Sequence, residues 1–350
     1  MNAQKIIHLT PPQLSDAHIK EYITCIRAHR ERIFNVSTQL LNDKLIFHNY
    51  GQGGAGWTFL FGCVNESIRE FEKQIDHTIS LKNKSIAVIG TGCYGLLTAI
   101  ILARKGFLVR IIAKETQDIP SYKAAGFFFP RARKSSTPQE RASFESFGME
   151  SYRNYLSISN GTHPFFSNGA QLLPAYYGLD IDPGFTPYIQ NKLIDPPQRV
   201  TIDFANGKAY DAMEYKTIFI NATTMMQELE RMRKELAIPI TRSQIMEFGE
   251  IPESIVFNCA GMGAKKLTSD TRIIPVQGHL ITLKNQPQLQ YMINVKVIQK
   301  NPLGRLRDEL IYFSPKDEGI LGITFLRGQD DLSANQHEFE RLLQRCREFF

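Results

Sequence analysis

The sequence predicts an α/β fold, and two observations carry that prediction. The first is SIAVIGTGCYGLLTAIILARKGFLVRIIAKE at residues 85–115, where an apolar strand, a glycine turn, a helix and a second apolar strand follow one another. The second is the final hundred residues, where strands alternate with loops before a closing helix. A chain of 350 residues, 43% apolar and 22% charged, is long enough for two domains, or for one with a large insertion.

The elements follow in chain order. Ser15 and Asp16 stand at capping positions and predict a short helix through Tyr22 to Ile26. Leu45 to Phe47 predicts a short strand, which runs into FHNYGQGGAGWT at residues 47–58. There Gly51, Gly53, Gly54 and Gly56 fall within six positions, a density that lets backbone approach a ligand or turn where a side chain would clash. Trp57 to Ile75 predicts a helix with Leu60, Val64, Ile68 and Phe71 on one face. In the β-α-β stretch the strands are Ile86 to Ile89 and Leu108 to Ile112, and the helix runs to about Lys105. Residues 116–240 mix aromatic and Pro/Gly-rich pieces, and VTIDFANGKAY predicts a hairpin turning at Asn206-Gly207. A helix over 222–236, a strand ending at Ala260-Gly261 and a helix over 334–350 complete the pattern. Asn285 to Asp308 reads equally as a lid or as a hairpin excursion.

A net charge of +6 permits an acidic or carboxylate ligand without pointing to nucleic acid. Arg131, Arg133 and Lys134 read as a solvated basic loop. The five cysteines are scattered singly, with no metal-ligand spacing to the eight histidines, and read as reduced thiols. No apolar run is long enough to span a bilayer, and the first residues lack an apolar secretory core, so a cytoplasmic protein is expected.

The turn Gly90-Thr-Gly92-Cys-Tyr-Gly95 carries the most chemistry. Its first glycine permits the bend, the second admits a pyrophosphate, and the third lets helix and strand pack closely. The helix start then offers free N–H groups and a positive dipole end. This is a Rossmann-like dinucleotide site. The acidic residue that commonly ends the second strand is missing, since Ala113, Lys114 and Glu115 stand there. Its absence weakens an NAD reading, and Lys114 keeps NADP open.

From Ala113-Lys-Glu through Ser121-Tyr-Lys-Ala-Ala-Gly-Phe-Phe-Phe-Pro130, the sequence resembles the D-amino acid oxidase family of FAD-dependent oxidoreductases. Phe257-Asn-Cys-Ala-Gly261 resembles that family's Asn-Cys-Thr-Gly strand end, and Pro275-Val-Gln-Gly-His279 its following Arg-Gly-Gln turn. Ile311-Tyr-Phe-Ser-Pro315 and Leu321-Gly-Ile-Thr-Phe325 resemble the strand pair that supplies an active-site tyrosine. The resemblance is patchy through 140–220. The glycine-rich stretch at 47–58 resembles a segment near the family's C-terminus, where it follows an Arg-Pro-x-Arg-Pro strand; here Arg27-Ala-His-Arg30-Glu-Arg32 stands in that place. The piece that closes the family fold therefore comes first. This implies a circular permutation, with a fused fragment served by another chain as the rival account.

The resemblance implies a Rossmann-like FAD-binding domain over 28–130 and 217–275, and a mixed β-sheet substrate domain over 131–216, 276–350 and 1–27, in permuted order. It places FAD on Gly90, Gly92, Cys93, Tyr94, Gly95, Ala113, Lys114, Ser121, Ala125, Gly126, Phe127, Ile245 and Gly261. It sets Gly53, Gly54, Ala55, Gly56, Trp57 and Thr58 beside the flavin ring, with a helix N-terminus facing its pyrimidine end. Arg27 matches the arginine that grips the substrate carboxylate, with Arg30 as the alternative register, and Tyr312 matches the supporting tyrosine. The implied partners are a small amine carboxylate and oxygen, with no nucleic acid and no membrane. The implied reaction moves a hydride from the α-carbon to flavin N5 and yields an imino acid and hydrogen peroxide. Asp308, Trp57 and Ala260 depart from the family pattern and bear on the substrate. His279 is expected to be structural. Two other readings stay open: an NADP-dependent reductase, and a non-catalytic FAD-binding protein.

Overall fold

A strand buried on both faces reads as a continuous apolar run, and SIAVI, LVRIIA and IVFN do so. In the computed structural model, which describes residues 5–74, 85–130, 137–300, 306–333 and 335–350, these three lie side by side. They form a six-stranded sheet in the order Ile240–Arg242, Leu108–Ala113, Ser85–Ile89, Ile255–Asn258, Lys44–Tyr50, Asn35–Leu41. All neighbours are parallel except the last pair. The parallel strands therefore all end at one edge of the sheet, where α/β proteins bind their ligands.

The helix Gly56–Gln74 leaves that edge directly after the glycine-rich stretch, and Leu60, Val64, Ile68 and Phe71 are all buried, as the periodicity predicts. The helix Cys93–Arg104 leaves the same edge from the Gly90 turn. A third helix, Pro138–Ser159, packs on the first so closely that a Cβ at Gly62 would sit 2.1 Å from the Phe147 carbonyl oxygen. Its start carries a Thr137–Glu140 capping box, a signal the aromatic-rich reading of 116–240 passes over.

A ten-stranded mixed sheet forms the other wall. Its order runs Lys5–His8, Gln198–Asp203, Ala209–Ile220, Ala170–Tyr177, Met292–Lys300, Leu306–Ser314, Ile320–Gly322, Ile273–Leu283, Leu326–Arg327, and the strand Ile19–Arg30 also pairs with Ile273–Leu283. The helix expected from Ser15 to Ile26 is replaced by this last strand. Only a single turn forms at Asp16–His18, and the Ser15 hydroxyl bonds the His18 ring (2.7 Å) instead of a helix N–H. β-branched Ile19, Ile23, Thr24 and Ile26 favour extended backbone, and pairing along the whole partner strand outweighs the capping signal. The 198–220 hairpin, the 222–235 helix and the 336–349 helix form where expected. Asn285 to Asp308 resolves into the hairpin alternative, with Met292–Lys300 antiparallel to Leu306–Ser314. The basic Arg131 to Lys134 loop lies outside the described residues.

Candidate active site

Where the parallel strands end, the two sheets enclose a cavity of about 2040 Å³. Both glycine segments line it, one following Lys44–Tyr50 and the other following Ser85–Ile89. Neighbouring strand ends explain why segments so far apart in sequence meet. They are also tied directly: the Tyr94 hydroxyl donates to the Gly56 carbonyl (2.8 Å), and Trp57 Nε1 donates to the Ser121 carbonyl (3.1 Å).

The backbone near the first strand admits no side chains. Gly90 has φ +105°, and a Cβ there would lie 2.5 Å from the Cys259 carbonyl oxygen. A Cβ at Gly95 would lie 2.0 Å from the Gly90 oxygen, which is the close helix–strand contact the third glycine allows. Gly92 precedes the helix with no side-chain cap, so the helix N-terminus faces the cavity through backbone alone, apart from the Ser121 hydroxyl accepting from the Cys93 N–H (3.1 Å). This cradle, continuous with Ala113, Ala125, Gly126, Phe127, Ile245 and Gly261 along the same cavity, fits the elongated diphosphate and ring system of FAD. Burial pushes the Cys93 thiol up to about 11, so it stays protonated beside that cradle. Lys114 is exposed and 3.2 Å from its own neighbour Glu115.

After the strand Lys44–Tyr50, Gly53, Gly54, Ala55, Gly56, Trp57 and Thr58 all line the cavity. The Thr58 hydroxyl donates to the Phe127 carbonyl (3.4 Å) and accepts from the Phe129 N–H (3.2 Å). It thereby clamps the Ala125–Phe129 segment against the helix start, a tethering role besides any offered to a ligand.

The opposite wall is made by side chains. Arg27 projects from the strand Ile19–Arg30 and is 7% exposed. Its guanidinium lies over Gly278, where a Cβ would fall 1.7 Å from Nη2, so only glycine admits this rotamer. Nη1 donates to the Thr324 carbonyl (3.1 Å), while the buried Nη2 has no partner. The Phe325 ring lies 5.0 Å from the guanidinium carbon. Burial lowers the Arg27 pKa from its ordinary value, yet a guanidinium does not give up its proton in a protein. Among the described residues no carboxylate forms an ion pair with it. Arg30, three residues on, is the opposite case: its Nε is 2.7 Å from Asp270 and its Nη1 donates to the Ile33 carbonyl (2.6 Å). Arg27 lines the cavity and Arg30 does not.

Tyr312 is buried, lines the cavity and stacks on Phe127, with centroids 4.3 Å apart. Burial raises its pKa, and the nearby Arg27 charge opposes that rise. Asp308 is exposed, four residues back on the same strand, and does not line the cavity, so it poses no charge against Arg27. His279 is fully buried on the far side of the sheet, with Nδ1 2.6 Å from the Thr324 hydroxyl and its ring edge-on to Phe339, as a structural residue would be. Sequence reasoning passed over Gly278 and Thr324, which hold Arg27, and Tyr177 and Asn294, which share its wall. Only strand register reveals them.

Fold and cavity together define a Rossmann-like α/β protein whose second sheet faces the cavity at the strand ends. Residues 210–350 match the family described as FAD dependent oxidoreductase, DAO. The chain is 24% identical over 280 residues to D-aspartate oxidase of Homo sapiens, covering 75% of this chain and 74% of that one. It is 25% identical over 272 residues to D-amino-acid oxidase of Rubrobacter xylanophilus, covering 74% and 75%. Among solved structures, iminodiacetate oxidase from Chelativorans sp. BNC1 superposes with a TM-score of 0.54 at 16% identity, over 74% of this chain and 77% of that one. The match over residues 210–350 is to FAD-dependent oxidoreductases, so FAD is the cofactor it indicates. No helix among the described residues is long and apolar enough to cross a membrane.

Proposed function

We propose that this protein oxidises an amino acid or related amine carboxylate at the carbon bearing the amine. One observation carries the reading: a buried guanidinium in the cavity wall with an unpartnered nitrogen and no carboxylate beside it. A buried cation without a counter-ion is costly, and a planar carboxylate satisfies its fork geometry. Arg27 binds the substrate carboxylate and Tyr312 supports it through its hydroxyl. Gly278 and the Thr324 carbonyl keep the guanidinium in one plane, so the carboxylate fixes the α-carbon and amine by geometry. No general base is required, since the amine enters unprotonated. FAD, when bound, supplies the hydride acceptor at N5, and the imino acid product hydrolyses in water, with oxygen as the proposed terminal acceptor. The Gly54–Thr58 helix start supplies N–H groups and a dipole end on the ring side.

The cofactor roles of Gly53, Ala55, Gly56, Trp57, Gly90, Gly92, Cys93, Tyr94, Gly95, Ala113, Lys114, Ser121, Ala125, Gly126, Phe127, Ile245 and Gly261 belong to the same proposal, as does the two-domain division at the boundaries given above. The permuted order is supported by Arg347, near the end of the last helix, which donates to the Leu14 carbonyl (2.8 Å) and pairs with Asp16 (2.6 Å). The five buried, free cysteines support a reducing compartment such as the cytoplasm.

The test is a visible spectrum of the purified protein, followed by anaerobic bleaching with D- and L-amino acids, glycine, sarcosine and proline. Arg27→Ala should keep the yellow colour and lose bleaching by carboxylate substrates. Unchanged bleaching in that variant would remove Arg27 from the mechanism.

A further inference from the structure

We propose that the cavity contains a second recognition site, made by Tyr177 and Asn294 beside Tyr312, that reads a hydrogen-bond acceptor on the substrate's side chain. The proposal rests on the amine-carboxylate reading and deepens it. The ten-stranded sheet pairs Tyr177 with Asn294 across one strand boundary and Asn294 with Tyr312 across the next. Paired residues point to the same face, so three polar side chains stand in a row on neighbouring strands, each about 5 Å from the next. All three line the cavity.

Tyr177 is the informative member. It is 3% exposed, and its hydroxyl has no hydrogen-bond partner. Its ring is held on three sides, stacked on Phe129 with centroids 5.4 Å apart and edge-on to Phe185 and Tyr215. A ring clamped this way cannot turn its hydroxyl towards another partner. Buried hydroxyls are almost always satisfied, so one without a partner on a cavity wall calls for a partner from outside the fold. Asn294 is half-buried, and its amide makes no hydrogen bond to another described residue. Two residues further along the same face, exposed Lys296 also lines the cavity.

The chemistry of the row sets the substrate class. Arg27 and Tyr312 take the α-carboxylate, which leaves Tyr177 and Asn294 for whatever hangs from the α-carbon. The Tyr177 hydroxyl and the Asn294 amide can each donate, and the lysine at the mouth can only donate. Donors therefore outnumber acceptors, and the matching group is a side-chain oxygen: a hydroxyl, a carboxamide or a carboxylate. An apolar side chain of the same size would leave these donors stranded, which is how a hydrogen-bonding site rejects an isostere.

The experiment measures anaerobic flavin reduction by two near-isosteric pairs, threonine against valine and asparagine against leucine, in both enantiomers. Wild type should favour the oxygen-bearing member by at least about 10-fold in kcat/KM, and Tyr177→Phe should bring that ratio to within about 2-fold. Equal losses on both members of a pair, or a wild-type preference for valine and leucine, would overturn the site. A second readout needs no turnover. Thermal unfolding of the flavin-free protein should show Tyr177→Phe with an unchanged or higher Tm, because the variant removes a polar group that the fold leaves unsatisfied. A lower Tm would mean that the hydroxyl serves the fold, and the site falls on that result alone. If other amine carboxylates bleach the flavin and neither pair does, this site falls by itself; if none bleaches it, the oxidase reading falls too.

Discussion

Along one wall of the cavity the chain presents backbone: Gly53, Gly54, Gly56, Gly90 and Gly92, gathered where parallel strands end. Along the other it presents side chains: Arg27, Tyr177, Asn294 and Tyr312, aligned by the register of a mixed sheet. The first wall is fixed by what cannot be there, since a Cβ at Gly90 meets the Cys259 carbonyl oxygen at 2.5 Å, and one at Gly95, just behind the wall, meets backbone at 2.0 Å. The second is fixed by what must be there, a charge and a set of hydroxyls. The difference teaches that cofactor and substrate sites fail in different ways, and that their failures can be separated.

The largest effect should come from Gly95→Val. The branched side chain must displace the Gly90 turn, and we expect loss of bound flavin together with a marked fall in Tm, read by absorbance and thermal unfolding. A yellow, stable variant would show that the backbone wall is more forgiving than its contacts imply. Arg27→Met strikes the other wall. It should retain flavin and lose about 10²–10³-fold in kcat/KM for carboxylate substrates, the effect of about 3–4 kcal/mol of charge-assisted binding. Its stability should hold or rise, because the lost charge has no ion-pair partner in the fold.

Arg30→Met sharpens the contrast on the same strand. It removes the 2.7 Å ion pair of the mostly buried Asp270, which keeps the Tyr50 hydroxyl (3.1 Å) and Arg272 (3.7 Å), and should cost about 2–3 kcal/mol in a urea titration. Acid should then weaken the cofactor side selectively. His48, on the strand leading into the glycine-rich loop, is buried between Gln39 (2.9 Å) and Asn258 (3.2 Å), and burial holds its pKa down to about 4. The unfolded chain therefore binds a proton that the fold refuses. Stability is full above about pH 6.5 and falls as pH drops towards 4, by about 3 kcal/mol in all. His48→Gln should flatten that slope in pH-dependent unfolding; an unchanged slope would place the titration elsewhere. Tyr312→Phe is the mildest change, with an expected loss of about 10-fold in kcat/KM and no change in the flavin spectrum, the effect of one hydrogen bond.

The two walls also differed in how much the sequence disclosed. Gly90-Thr-Gly92-Cys-Tyr-Gly95 carries its meaning within six residues, and the glycine-rich loop does so nearly as well. Arg27 could not be told from Arg30 by spacing. What separates them is Asp270, 240 residues from Arg30 in sequence, and Gly278, whose missing side chain makes room for the other guanidinium. Tyr177 and Asn294 were invisible for the same reason: a strand pairing joins them, and register is not written in local pattern. The capping signal at Ser15 pointed to a helix because the partner strand at Ile273–Leu283 lies far along the chain.

A cation held in a dry recess with one nitrogen unsatisfied does not wait for its physiological ligand. Acetate, formate or citrate carried through purification is small enough to settle on Arg27 and raise the melting temperature in proportion to the logarithm of its concentration. Michaelis constants measured in such buffers would be inflated by competition. Recovering the intrinsic affinity requires a medium free of carboxylates and phosphate, such as Tris, with the Arg27→Met protein as the insensitive control.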